Sequence, residues 1–281
     1  MTRRPLALAT VLVTAACAGR TPAPAASRTA AVAPVPAPPR DAATLAYGVG
    51  SARYRLEQTT QVVQEVMGQV STTDLSSRQI FSAVFTQGAG NLALALTFDS
   101  IEVSDPTGST AGITAARGQT FRLVVTPSGL VVSTTAPDST NPVFRQISSG
   151  LGDLLPRLPS PPVAAGQTWS DTVTRSAGDV DVSTRLVRQH RVVGWEDRDG
   201  ARALHITTTS AYTVTGTTEA QGQHIELSGN GVSTRDAFVS AAGLFLGSIE
   251  SDSALVNANV TSVGLTVPVR RTSRSTIARV P

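Results

Sequence analysis

Few side chains in this 281-residue chain could do acid–base, nucleophilic or metal chemistry. Three histidines stand at His190, His205 and His224, and the single thiol is Cys17. A zinc site needs three or four His, Cys or carboxylate ligands converging on one point. Leu204, Ile206, Tyr212 and Val214 mark the apolar face of one strand, so His205 falls on the opposite, wetter face. Val187, Val193 and Trp195 set the parity of the strand before it, which puts His190 on the same wet face. His224 belongs to the next strand, at the far end of its pairing. The three rings do not converge, and no metal site is expected.

The signs of catalysis are equally sparse. Serines abound, but no G-x-S-x-G elbow occurs among them. Glycosidase chemistry needs two carboxylates facing each other across a cleft, whereas Glu196, Asp197 and Asp199 crowd one turn. The chain has no lysine, which removes Schiff-base chemistry on that residue. The glycine-rich stretches at 150–152 and 229–231 lack a phosphate-loop pattern and read as turns. No catalytic residue and no cofactor is expected, and the chain reads as non-catalytic.

Cys17 has a different explanation. Arg3 and Arg4 precede an apolar run from Pro5 to Ala16 that ends in small residues, the order of a bacterial export signal. The run is about a dozen residues long, short of the roughly 20 needed to span a bilayer. "VTAAC" resembles a bacterial lipobox, with Thr14 where Leu or Val is commoner. That resemblance implies cleavage after residue 16 and a lipid on the Cys17 thiol. Acylation by two or more chains anchors stably, at about 0.8 kcal/mol per buried methylene. Ala18 follows the cysteine where an Asp would imply inner-membrane retention, so the expected location is the cell envelope, at the outer membrane facing the periplasm. Residues 17–46 then form a tether, because the 29 positions from 18 to 46 contain eleven Ala and six Pro and cannot bury enough surface to order themselves. Extended as polyproline, the tether reaches about 90 Å.

Charge excludes another class. All 23 basic residues are arginines, and loss of residues 1–16 leaves 21 of them against 20 acids. The high isoelectric point therefore reflects arginine chemistry near neutrality. The densest basic run, residues 270–276, is short and suits a solvated strand face, so no nucleic-acid partner is expected.

The elements that must position any site are strands. Val, Thr, Ile and aromatic residues recur with period two between turn clusters over residues 47–281, which are expected to form a single β domain. Leu92, Leu94, Leu96 and Phe98 share one face. A hairpin turns at Pro127, Ser128 and Gly129, and two long strands join at Asp199 and Gly200. Further turns are expected at Gly229–Gly231 and at Ala241–Gly243. One helix is expected near 142–155, with Asn141 as its cap, Pro142 in its first turn, and Pro156 and Pro159 beyond its end. The fold class is mainly β: a large antiparallel meander, as a half-barrel or curved sheet, with one short helix.

The stretch "PPVAAGQTWSDTV", a proline-rich turn followed by Gly and Trp, resembles bacterial β-rich envelope lipoproteins of unassigned activity. More distantly, the tether and meander resemble the LolA-like and LppX-like half-barrel lipoproteins. Half-barrels of that kind hold acyl chains in the concave face, which implies a hydrophobic ligand here. The ligand-facing candidates are Leu92, Leu94, Leu96, Phe98, Phe144, Leu204, Ile206 and Tyr212. Two other readings stay open: a structural or protein-interaction lipoprotein with a filled core, whose partner would be another envelope protein, and an integral outer-membrane β-barrel. The few aromatic residues argue against the membrane girdles of the last.

Overall fold

The structure, a computed structural model, describes residues 45–105, 108, 112–176, 181–220 and 222–281. Cys17, the expected export signal and the expected tether up to residue 44 lie outside the described residues. Eleven strands follow in chain order. They are β1 (Gly50–Val66), β2 (Gln69–Gln87), β3 (Leu92–Ser104), β4 (Thr120–Val125), β5 (Val131–Thr135) and β6 (Thr168–Ser176). After them come β7 (Asp181–Arg198), β8 (Ala201–Ala220), β9 (Gln223–Ser240), β10 (Phe245–Val260) and β11 (Leu265–Val280). The single α-helix among the described residues, α1 (Pro142–Leu151), lies between β5 and β6.

All the strands join one antiparallel sheet, in the order β5-β4-β3-β2-β1-β11-β10-β9-β8-β7-β6. Each half is a simple meander, and the chain crosses between halves through α1. Seven inter-strand steps separate β3 from β7, about 34 Å if the sheet were flat. Phe98 of β3 and Arg188 of β7 nevertheless line one cavity, so the sheet curls into a trough. The edge strands β5 and β6 do not pair, and the sheet stays open. An integral barrel requires closure and an apolar outer band. Here the alternation runs the other way: Leu204, Ile206, Tyr212 and Val214 of β8 are buried, whereas Thr209, Thr213 and Thr215 are exposed. The open sheet and polar outer face argue against the integral-barrel alternative.

Two apolar clusters fill the trough. The larger includes residues of β1 to β4, β7 to β10 and α1, together with Leu155, Leu158 and Val163 beyond the helix. A chain of ring contacts crosses it from Phe245 through Tyr54, Phe81, Phe98 and Phe121 to Phe144 on α1, with centroids 5.4–5.9 Å apart. Most of the seven phenylalanines thus gather at one end, which is how a chain with few aromatics fills a core there. The smaller cluster, around Val182, Val214, Leu227, Val260 and Val267, is built entirely from strands.

Several local expectations hold. The hairpin at Pro127–Gly129 closes through Thr126 N–H to Leu130 O, and Asn141 Oδ1 accepts from Val143 N–H to cap α1. Others are corrected. The helix stops at Leu151, not 155, and continues as a turn and bend over 152–155 whose leucines still pack inward. Leu45 is buried, so the folded part starts before residue 47. Gly229 and Gly231 lie inside β9 rather than in a turn. A Cβ on Gly231 would fall 2.2 Å from the Tyr212 ring and one on Gly229 2.4 Å from Leu255 O, so glycine here serves close approach.

Candidate functional site

The feature with the chemistry of a site is a cavity of about 350 Å³ between α1 and the trough. Its two walls differ. Leu56, Phe81, Leu96, Phe98 and Ile277 come from the sheet, and Val143, Ile147, Leu151 and Leu154 face them from the helix and the bend beyond it. The opposite wall is polar and comes from alternate inward positions of the other half of the sheet. Arg175 (β6), Arg188 and His190 (β7), Thr208 and Ser210 (β8) belong to it. Ser233 and Arg235 (β9), Glu250 (β10) and Arg271 (β11) complete it.

The segment after α1 is pinned to that polar wall. The Asp153 carboxylate pairs with Arg175 and accepts from Arg188 Nη2 at 2.6 Å. Arg235 donates to the main chain of the same segment, Nη1 to Asp153 O at 2.5 Å and Nη2 to Leu154 O at 2.7 Å. These carbonyls follow the last turn of the helix, where a cation is favoured. On the other flank Tyr47 Oη donates to Pro156 O at 3.0 Å, and Leu158 N–H bonds Ser128 O at 2.9 Å. Gly129, at φ 88°, passes so close that a Cβ would meet Pro156 O at 2.6 Å. Residues 142–158 therefore form a strap held to both halves of the sheet.

His190 is only 3% exposed, and this corrects its expected place on the wet face. β7 has a bulge: Val192 pairs with Ile206 and Gly194 with His205, so Val193 is an extra residue, 45% exposed. Parity inverts there. Trp195 faces inward beyond the bulge, while Leu186, Arg188, His190 and Val192 face inward before it. The His190 ring stacks on Trp169 at 5.0 Å, its Nδ1 shares a hydrogen bond with Thr208 Oγ1 at 2.9 Å, and its Nε2 lies 3.6 Å from Asp171 Oδ1. The neighbouring imidazole, then the charges of Arg188 and Arg157, hold the Asp171 carboxyl below its ordinary value against the effect of burial. His205 lies on the outer face with Asp236 at 2.9 Å, and His224 is exposed. Among the described residues, no three His, Cys, Asp or Glu side chains group as a metal site would require.

Below the cavity lies a buried acid. Asp252 is 0% exposed and accepts from Tyr212 Oη at 2.7 Å and Arg271 Nη2 at 2.8 Å. Burial pushes its carboxyl up to about 7, against the opposing pull of Tyr212 and Arg271. Burial likewise raises the Tyr212 hydroxyl, and the adjacent Asp252 raises it further.

Of the residues expected to face a ligand, Leu96 and Phe98 line the cavity. Leu92, Leu94, Leu204, Ile206 and Phe144 are buried inside the larger cluster and do not line the cavity. Tyr212 turns into the smaller cluster with its hydroxyl on Asp252. Sequence reasoning missed the polar wall altogether. Its traces were two arginines on apolar parity, Arg188 between Leu186 and Val192 and Arg235 before Ala237 and Val239.

No protein-family model matches the sequence, and no curated protein matches it. Solved structures match only distantly. Neisserial surface protein A aligns over 82% of this chain and 99% of its own, at 6% identity and a TM-score of 0.21. An outer membrane lipoprotein-sorting protein domain from Vibrio parahaemolyticus aligns over 81% of this chain and 83% of its own, at 10% identity and a TM-score of 0.16. OmpT, an outer membrane protein of Vibrio cholerae lacking loop L8, aligns over 82% of this chain and 99% of its own, at 8% identity and a TM-score of 0.21.

Proposed function

We propose that this is a lipid-anchored protein of the cell envelope that holds a hydrophobic, lipid-like ligand beneath the helical strap and catalyses no reaction. The observation that carries the reading is the cavity of about 350 Å³ walled on one side by leucine, isoleucine, valine and phenylalanine. That volume lies within the range of about 300–1,000 Å³ typical of ligand pockets and far above the water-sized voids of an ordinary core. Acylation of Cys17 and a tether through residue 44 would set the trough clear of the outer membrane, facing the periplasm. A filled-core interaction module is the competing reading. It draws on the sealing of Leu94, Leu204 and Ile206, but leaves the cavity without a purpose.

The test is native mass spectrometry of the protein purified from its own host. A co-purified amphiphile of one defined mass is the expected result, and a ligand-free protein that also takes up no added acyl chain would overturn the reading. For the anchor, Cys17→Ser is expected to abolish labelling by a lipid precursor and to release the protein from membranes. Unchanged membrane retention would count against acylation.

A further inference from the structure

The polar wall identifies the ligand's chemistry more closely than the apolar one. Five arginines line or border the cavity, Arg157, Arg175, Arg188, Arg235 and Arg271, against two lining carboxylates, Asp153 and Glu250. Asp171 and Asp252 stand behind them, beside Arg188 and Arg271 respectively. Arg235 is in a different situation from its neighbours. It is 8% exposed, and its hydrogen-bond partners are all neutral: two main-chain carbonyls and Ser248 Oγ at 3.1 Å. Its Nε is buried with no hydrogen-bond partner among the described residues, and the ring of Phe245 lies 5.9 Å from the guanidinium. Arg157, at the same cavity, has a carboxylate no nearer than the 3.9 Å contact with Asp171. A buried cation with neutral partners only is costly, and an anion brought beside it recovers that cost. Guanidinium also matches carboxylate and phosphate oxygens geometrically.

Size limits the other end of the molecule. A cavity of about 350 Å³ stands at the small end of the range of about 300–1,000 Å³ typical of ligand pockets. That end of the range suits one acyl chain with a compact head better than a two-chain phospholipid. We propose that the cavity takes a single-chain anionic amphiphile, its carboxylate or phosphate head at Arg235 and Arg157 and its tail against Phe81, Leu96, Phe98 and Ile147. This inference rests on the hydrophobic-ligand reading above. It adds the charge of the head and the number of chains.

Binding of decanoate, decan-1-ol and inorganic phosphate to the intact protein, measured by calorimetry at two salt concentrations, tests it. Decanoate is expected to bind one to one and at least tenfold more tightly than decan-1-ol, with phosphate alone weaker than either. Arg235→Gln is expected to remove the preference for decanoate over decan-1-ol. Should that variant fail to fold, Arg157→Gln and the headgroup series on the unaltered chain decide the matter. Equal binding of decanoate and decan-1-ol would overturn the anionic head and leave the hydrophobic-ligand reading standing. Phosphate binding as tightly as decanoate would overturn the amphiphile in favour of a plain anion site. Binding of none of the three would overturn this inference and the proposed function together.

Discussion

The two ends of the trough are closed by different physical means. At the larger cluster the sheet is too open to cover itself, and a separate strap, residues 142–158, is laid across and tied down by Asp153, Arg235 and Tyr47. At the smaller cluster no residue of the strap takes part, and the strands close on one another. Glycine lets them do so: Gly231 admits the Tyr212 ring, and Gly216, at φ 143°, leaves no room for a Cβ beside Asp181 O. An end closed by an added segment can open without unpairing a strand. An end closed by the sheet's own curl cannot. The cavity lies under the strap, where access costs only the contacts of α1 and its bend.

The largest expected effect strikes the strapped end. Phe121→Ala removes a fully buried ring that contacts both Phe98 and Phe144, and is expected to cost about 3–5 kcal/mol in urea unfolding. Native-state hydrogen exchange should show α1 and β4 losing protection before the strand segments around Val214, Leu227 and Val260 at the opposite end. Equal loss at both ends would break the distinction drawn above.

Asp252, at the junction of the two regions, is expected to make stability depend on pH. Because its folded carboxyl titrates near 7 instead of 3.8, the folded chain keeps a proton that the unfolded chain releases. Its contribution is complete below about pH 4 and is lost as pH rises towards 7, by up to about 4 kcal/mol at roughly 1.4 kcal/mol per pKa unit. Asp171, held low by His190, acts in the opposite sense: its contribution is present above the ordinary carboxylate range and lost as pH falls below it. Asp252→Asn should flatten the profile between pH 4 and 7 and leave the more acidic limb unchanged. A variant with the original slope would move the titrating group elsewhere.

Gly231→Ala tests the self-closed end. Its new methyl meets the Tyr212 ring, and an overpacking cost of about 1–3 kcal/mol is expected, read as a lower urea midpoint with no change in strap exchange. The smallest effect is expected from Asn141→Ala. Loss of the cap on Val143 N–H should cost about 1 kcal/mol, confined to faster exchange over residues 142–151. If β8 to β10 loosened as well, the strap would not be an independent unit.

The elements were more legible than the site. Asp199 and Gly200 announce their turn because both adopt positive φ, at 51° and 75°, which few other residue pairs tolerate. Asn141 and Pro142 announce the helix start through chemistry confined to three residues. Leu92, Leu94, Leu96 and Phe98 announce a buried face, but not that its first two members would be sealed and its last two left beside a cavity. The low aromatic content likewise said nothing of where the rings would gather.

By itself the sequence determined what is local: a strand-rich chain, its short turns, one capped helix and an antiparallel order, because period-two patterning and turn preferences act over a few residues. The tertiary structure alone decided which way His190 points, since one extra residue at Val193 reverses the parity of all that precedes it in β7. It alone gathered Asp153, Arg175, Arg188, Arg235 and Arg271 around one space, from a helix bend and four strands up to 118 residues apart. Such a site depends on strand register and sheet curl. Both are set by pairing across the whole sheet, which no local stretch of residues encodes.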